Sequence, residues 1–126
     1  MSISGVHHIK LPVSDVANSR AWWERVLEFE TSIEFVENGV VEGVALRHAG
    51  CQTEVALRRD PDRARALSGF DAAALLVPSR NDVPRWAARF DDLGQPYGGI
   101  VQGHNGGAVL VGLHDPDGIE IRLYAD

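Results

Sequence analysis

The sequence is written twice, and a chain that repeats itself is expected to fold as two like modules. A displacement of 64 residues lays Gly5–Val13 on Gly69–Val77, with Gly5/Gly69, Leu11/Leu75 and Val13/Val77 identical. A displacement of 66 lays His48–Leu57 on His114–Leu123, where His48/His114, Glu54/Glu120 and Leu57/Leu123 coincide. A two-residue insertion between the blocks reconciles the two offsets. The pattern of elements repeats as well. Apolar-rich strands are predicted over Val6 to Val13 and Phe70 to Val77. Each is followed by a helix, the first over Val16 to Leu27 behind Ser14 or Asp15 as cap, the second over Val83 to Leu93 behind Asn81 or Asp82. In the second helix Pro84 suits the first turn and Gly94 the end. Three strands then close each half: Ile33 to Glu37, Val40 to Arg47 and Thr53 to Arg58, and Gly98 to Gln102, Ala108 to Leu113 and Ile119 to Tyr124. Asn38-Gly39 between the first two is a hairpin turn that wants positive φ at both residues. The reading is α+β: two tandem βαβββ modules in a single domain, module 1 about 1–59, a polar linker about 60–68 and module 2 about 69–126.

Composition narrows the function classes by exclusion. Twelve Lys plus Arg against eighteen Asp plus Glu leave a net charge of -6. That argues against nucleic acid, whose binding rests on neutralising phosphates, and against attachment to an anionic membrane. No apolar run approaches the ~20 residues of a membrane span. The N-terminus lacks the basic start and apolar core of a secretory signal, so a cytoplasmic location is expected. The single cysteine, Cys51, rules out an intrachain disulfide and a cysteine zinc cluster. Eleven of the twelve basic residues are Arg; the one lysine is Lys10.

Three stretches of the first half, Gly5-Val6-His7-His8-Ile9-Lys10-Leu11-Pro12-Val13-Ser14-Asp15, Ser19-Arg20 leading into Trp22-Trp23, and Val26-Leu27-Glu28-Phe29-Glu30, resemble the first-module signature of the vicinal oxygen chelate superfamily. The ending Asp115-Pro116-Asp117-Gly118-Ile119-Glu120-Ile121-Arg122-Leu123-Tyr124-Ala125 resembles its last-strand signature. Glyoxalase I, bleomycin-resistance proteins and extradiol dioxygenases belong to that superfamily. Glu28 departs from it, standing where the family usually has glycine. The resemblance implies curved mixed sheets that enclose a cleft, often completed by a second chain in a homodimer. It also implies a divalent metal held at four equivalent positions.

Here those positions are His8, Ala56, Ala72 and Arg122. Alanine cannot coordinate and Arg122 repels a cation, so His8 is the one surviving ligand type and no cofactor is expected. Period-two alternation puts Lys10 beside His8, Phe70, Ala74 and Leu76 beside Ala72, Glu54 and Arg58 beside Ala56, and Glu120 and Tyr124 beside Arg122. His7 is expected on the helix side, and His48 and His114 are read as turn or surface residues. The proposed ligand site is therefore Lys10, Glu54, Ala56, Phe70, Ala72, Ala74 and Tyr124, a cleft more basic than the chain as a whole. The favoured ligand is an apolar or aromatic small molecule with an acidic oxygen. Any catalysis would be proton transfer of the lyase or isomerase kind, with His8 or Glu120 as acid or base and Arg122 as oxyanion stabiliser. Two alternatives stand beside this: drug sequestration without catalysis, and a metal-dependent glyoxalase or dioxygenase using His8, Glu54 and Glu120 as displaced ligands.

Overall fold

The computed structural model describes all 126 residues, which divide into two compact units, Met1–Ala66 and Leu67–Asp126. The first holds β1 (His8–Val13), α1 (Val16–Leu27), β2 (Glu30–Glu37), β3 (Val40–His48) and β4 (Cys51–Arg59). Its sheet runs β1-β4-β3-β2, parallel between β1 and β4 and antiparallel elsewhere. A helix α2 (Pro61–Leu67) follows, and the second unit contains β5 (Asp71–Leu76), α3 (Asp82–Leu93), β6 (Gly99–Gln102), β7 (Ala108–Val111) and β8 (Glu120–Ala125). Its sheet runs β5-β8-β7-β6 with the same parallel and antiparallel pairs. This is the expected pair of βαβββ modules. Each sheet is open and does not close on itself.

Residue chemistry accounts for each module. The Asp15 side chain accepts the Asn18 N–H at 3.0 Å and starts α1, and the helix lays Val16, Trp22, Trp23 and Val26 on the sheet. Val44, Leu46, Val55 and Leu57 meet that helix face and are buried. In the second module Val83, Ala87 and Phe90 of α3 do the same against Leu110, Ile121 and Leu123. Alternation then sends the other residue of each pair to the uncovered face. Asn38 and Gly39 take φ of 51° and 77°, the geometry that the hairpin turn requires.

The segment between the modules, read as a polar linker, is largely helical, because Asp60 caps it, accepting the Arg63 N–H at 3.1 Å, and Pro61 sits at the first helical position where its missing N–H costs nothing. No helix is long and apolar enough to cross a membrane.

Candidate functional site

The uncovered face of the first sheet holds a recess of about 360 Å³. Its floor is apolar and comes from three strands: Ile33 and Phe35 of β2, Gly43 and Ala45 of β3, and Ala56 of β4. Phe35 lies across Gly43, and the register Ala45↔Ala56 sets two small side chains side by side. Polar groups stand around this floor. His8 pairs in register with Glu54, and Lys10 with Ala56, so His8, Lys10, Glu54 and Ala56 all border one space. The Ser32 hydroxyl donates to the Ala45 carbonyl at 3.1 Å and lies 3.5 Å from Glu54 Oε2. Arg58 also borders the recess, but Glu37 binds it at 3.0 Å and the carboxylate beside it holds the guanidinium charged. Lys10 makes no ion pair or hydrogen bond, which leaves it the uncommitted cation of the recess.

His7 is placed differently from the expectation. Strand β1 begins only at His8, so alternation does not govern the residue before it. The His7 carbonyl accepts the Glu54 N–H, the Val6 carbonyl accepts the Thr53 hydroxyl, and the His7 ring turns to the recess. There its Nδ1 lies 2.9 Å from Nδ1 of His8.

The second module carries a separate cluster on its uncovered face. Glu120, Arg122 and Tyr124 alternate along β8, as the period predicts. On β5 the register slips between Asp71 and Ala73, so that Asp71 pairs with Glu120 and Ala74 with Arg122. The extra residue absorbed by this bulge is Ala72, and the slip brings the Asp71 carboxylate to Arg122, 3.3 Å from Nη1. Arg122 Nε donates to Glu120, which also accepts the Gly112 N–H at 3.3 Å. Gly112 has φ +74°, and a Cβ there would lie 2.6 Å from the Gly98 nitrogen, so the approach needs glycine. Burial pushes the Glu120 carboxyl up, but Arg122 and the Gly112 N–H outweigh it and hold the group below its ordinary range. His114 forms an isolated bridge to Glu120, with Nε2 at 4.0 Å from the carboxylate. Phe70 is exposed just before β5.

The structure thus brings His8, Lys10, Glu54 and Ala56 together on one face, and Ala74, Glu120, Arg122 and Tyr124 on the other. Arg58 and Arg122 each have carboxylate partners, Glu37 for the first and Asp71 and Glu120 for the second. Sequence reasoning missed the floor residues Ile33, Phe35 and Ala45, which the alternation of β2 and β3 would have revealed. It also missed Asp71, whose position depends on a bulge, and the contact of His114 with Glu120.

Asp115 anchors the turn before β8. Its Oδ1 accepts the N–H groups of Asp117 and Ile119, both at 2.9 Å, while Oδ2 is buried without a partner. Burial pushes its carboxyl up to about 6 against the pull of those two N–H groups.

A model of the glyoxalase/bleomycin resistance protein/dioxygenase superfamily matches residues 5–123. No protein of curated function matches the chain. Among solved structures, lactoylglutathione lyase from Agrobacterium tumefaciens is similar with a TM-score of 0.80 at 16% identity, over 99% of this chain and 96% of that one. TnmS3, an antibiotic binding protein from Streptomyces sp. CB03234, gives 0.78 at 23% over 99% and 98%. The fosfomycin resistance protein FosX from Listeria monocytogenes gives 0.73 at 19% over 99% and 95%. At these identities the likeness is one of fold. Members of the superfamily often use a divalent metal, and the residues here do not fit one at its four positions. His8 supplies a nitrogen; Ala56 and Ala72 supply methyl groups and Arg122 a positive charge. No three His, Cys, Asp or Glu side chains gather elsewhere to hold a metal.

Proposed function

The chain belongs to the glyoxalase/bleomycin resistance protein/dioxygenase superfamily, and on that basis we propose that it binds an apolar or aromatic small molecule bearing an acidic oxygen in the recess of its first module. The observation that carries this reading is Lys10: an unpaired ammonium beside an apolar floor of Ile33, Phe35, Ala45 and Ala56. The recess volume lies within the range of small-ligand sites. The floor takes the apolar body, and Lys10 takes the oxygen as its anion. His8, on the same strand, is the acid or base for any lyase- or isomerase-type proton transfer. Glu120 suits the holding of Arg122 better than proton transfer, since it is already bound by Arg122 and Gly112. No metal enters the reaction. The protein is cytoplasmic and acts as a homodimer.

Sequestration without catalysis is the second reading. It is favoured by the engagement of Arg122 with both Asp71 and Glu120, which leaves His8 the one catalytic candidate not tied to a counter-ion.

Naphthoate and its neutral counterpart naphthylmethanol test the site by calorimetric titration. The wild-type chain should prefer naphthoate, and Lys10→Ala should lose that preference, with naphthoate weakened about tenfold, or ~1.4 kcal/mol. Lys10→Arg should keep it. Unchanged naphthoate binding by Lys10→Ala would overturn the proposal.

A further inference from the structure

The contact between His7 and His8 has chemistry beyond either ring alone. Two neutral imidazoles bring their Nδ1 atoms to 2.9 Å in one way only: one nitrogen carries the proton and donates it, and the other offers its lone pair. Two bare lone pairs would repel, and two N–H groups would clash. The rings meet edge to face at 85°, with centroids 5.1 Å apart, so an in-plane Nδ1 of one is aimed at the other instead of the rings stacking. Both rings are exposed and both border the recess. With the Nδ1 atoms turned to each other, Nε2 of each ring is left for ligand or solvent.

We infer that His7 is the positioning residue for His8: the two rings share one proton across their Nδ1 atoms, so the tautomer of each dictates the other, and the pair carries protons between the recess and water. The inference rests on the proposed site. When His8 donates from Nδ1, its Nε2 is a bare base. A ligand O–H then breaks, its proton forms the Nε2–H bond of His8, and the ligand is left as an oxyanion. The Nδ1 proton of His8 crosses to Nδ1 of His7, and His7 releases its Nε2 proton to water. His8 ends neutral with Nε2–H, able to return a proton to the ligand by the reverse sequence. Two charged groups on the same face favour this path. Lys10, unpaired, stabilises the oxyanion, and Glu54, the register partner of His8, stabilises the transient charge on the imidazole pair.

The tautomers are read by long-range nitrogen-15 NMR of the imidazoles in alkaline buffer. An isolated histidine side chain prefers the Nε2–H form. In the wild-type chain one ring of the pair should hold Nδ1–H and the other Nε2–H. In His7→Phe and in His8→Phe the remaining ring should revert to mainly Nε2–H. His48 is an internal reference, since its Nδ1 accepts the Gly50 N–H and its proton must lie on Nε2. Both positions are exposed, so the variants should fold. Two rings that are both mainly Nε2–H in wild type, unchanged in the variants, would overturn the inference. 4-Nitrophenol tests the underlying site separately: wild type should bind it and raise its phenolate band, and failure to bind would count against the ligand class while the spectrum decides the histidine pair.

Discussion

At the scale of single residues, Glu28 ends α1 in the left-handed region, with φ 61° and ψ 28°, where an L side chain crowds its own carbonyl. The superfamily resemblance expects glycine at this position, and the backbone has kept the conformation that glycine would adopt. Glu28→Gly should therefore raise stability by about 1 kcal/mol, read as a higher midpoint in urea unfolding. A loss of stability would mean that the contacts of the Glu28 side chain outweigh its backbone strain. Asp115 makes the opposite case, a side chain whose buried oxygen is costly when charged. Its folded carboxyl titrates at about 6, above the ordinary value of 3.8, so the folded chain binds a proton more tightly than the unfolded one. Stability from this group is present below the ordinary value and falls as pH rises through the folded one. By pH 7 the loss is on the order of 3 kcal/mol. Asp115→Asn keeps an oxygen for the Asp117 and Ile119 N–H groups but cannot titrate. The difference in unfolding free energy between wild type and variant should shift by most of that amount between pH 4 and pH 7, and a constant difference would refute the assignment.

At the scale of elements, the two module helices begin by different devices. Asp15 caps α1 through Asn18, whereas the Asn81 side chain makes no capping bond on α3. There the Asp82 carboxylate reaches back to the N–H and hydroxyl of Ser79, at 3.0 and 3.2 Å, in the manner of a capping box. Asp15→Ala and Asp82→Ala should each cost about 1 kcal/mol in thermal or urea unfolding, while Asn81→Ala should cost close to nothing. The same elements indicate what can be read from a sequence. The span Val16 to Leu27 was legible because the cap and the apolar stripe agree locally, although Glu28 at its end carries no stop signal of its own. The Asn38-Gly39 hairpin was legible for the same reason. The Asp60-Pro61 helix start was present in the residues but outweighed by the polar look of the segment. The bulge at Ala72 had no local signal at all, since it arises from how β5 hydrogen-bonds to β8, a partner nearly fifty residues away. The site divides along the same line. Lys10 and His8 follow from strand alternation, but Asp71 at Arg122 and His7 at His8 depend on where pairing begins or slips.

At the scale of the whole molecule, each module leaves one sheet face uncovered, and those faces carry large apolar side chains. Ile33 and Phe35 are 49% and 45% exposed in the first module, and Leu76 is 73% exposed in the second. In each module, apolar side chains on the open sheet face with charged groups among them, Lys10 and Glu37 in the first and the Arg122 cluster in the second, are the pattern of an association surface. The burial of a leucine-sized side chain contributes about 2 kcal/mol, so a few such residues supply much of what a stable pair needs. A second copy of the chain is the partner proposed above. The mass in solution should accordingly be twice 13.7 kDa by light scattering. Leu76→Asp places an unpaired carboxylate on that face without touching either helix-covered core, so it should shift the mass toward one chain while circular dichroism keeps the α+β signature. A wild-type mass of one chain at high protein concentration would remove the homodimer, and the first-module recess would then have to hold its ligand alone. Elemental analysis of the same preparation bears on the metal. With methyl groups and a guanidinium at three of the four family positions, transition-metal content should fall well below one equivalent. One equivalent of Zn, Ni, Fe or Mn that disappears in His8→Ala would put a metal where these residues argue against it.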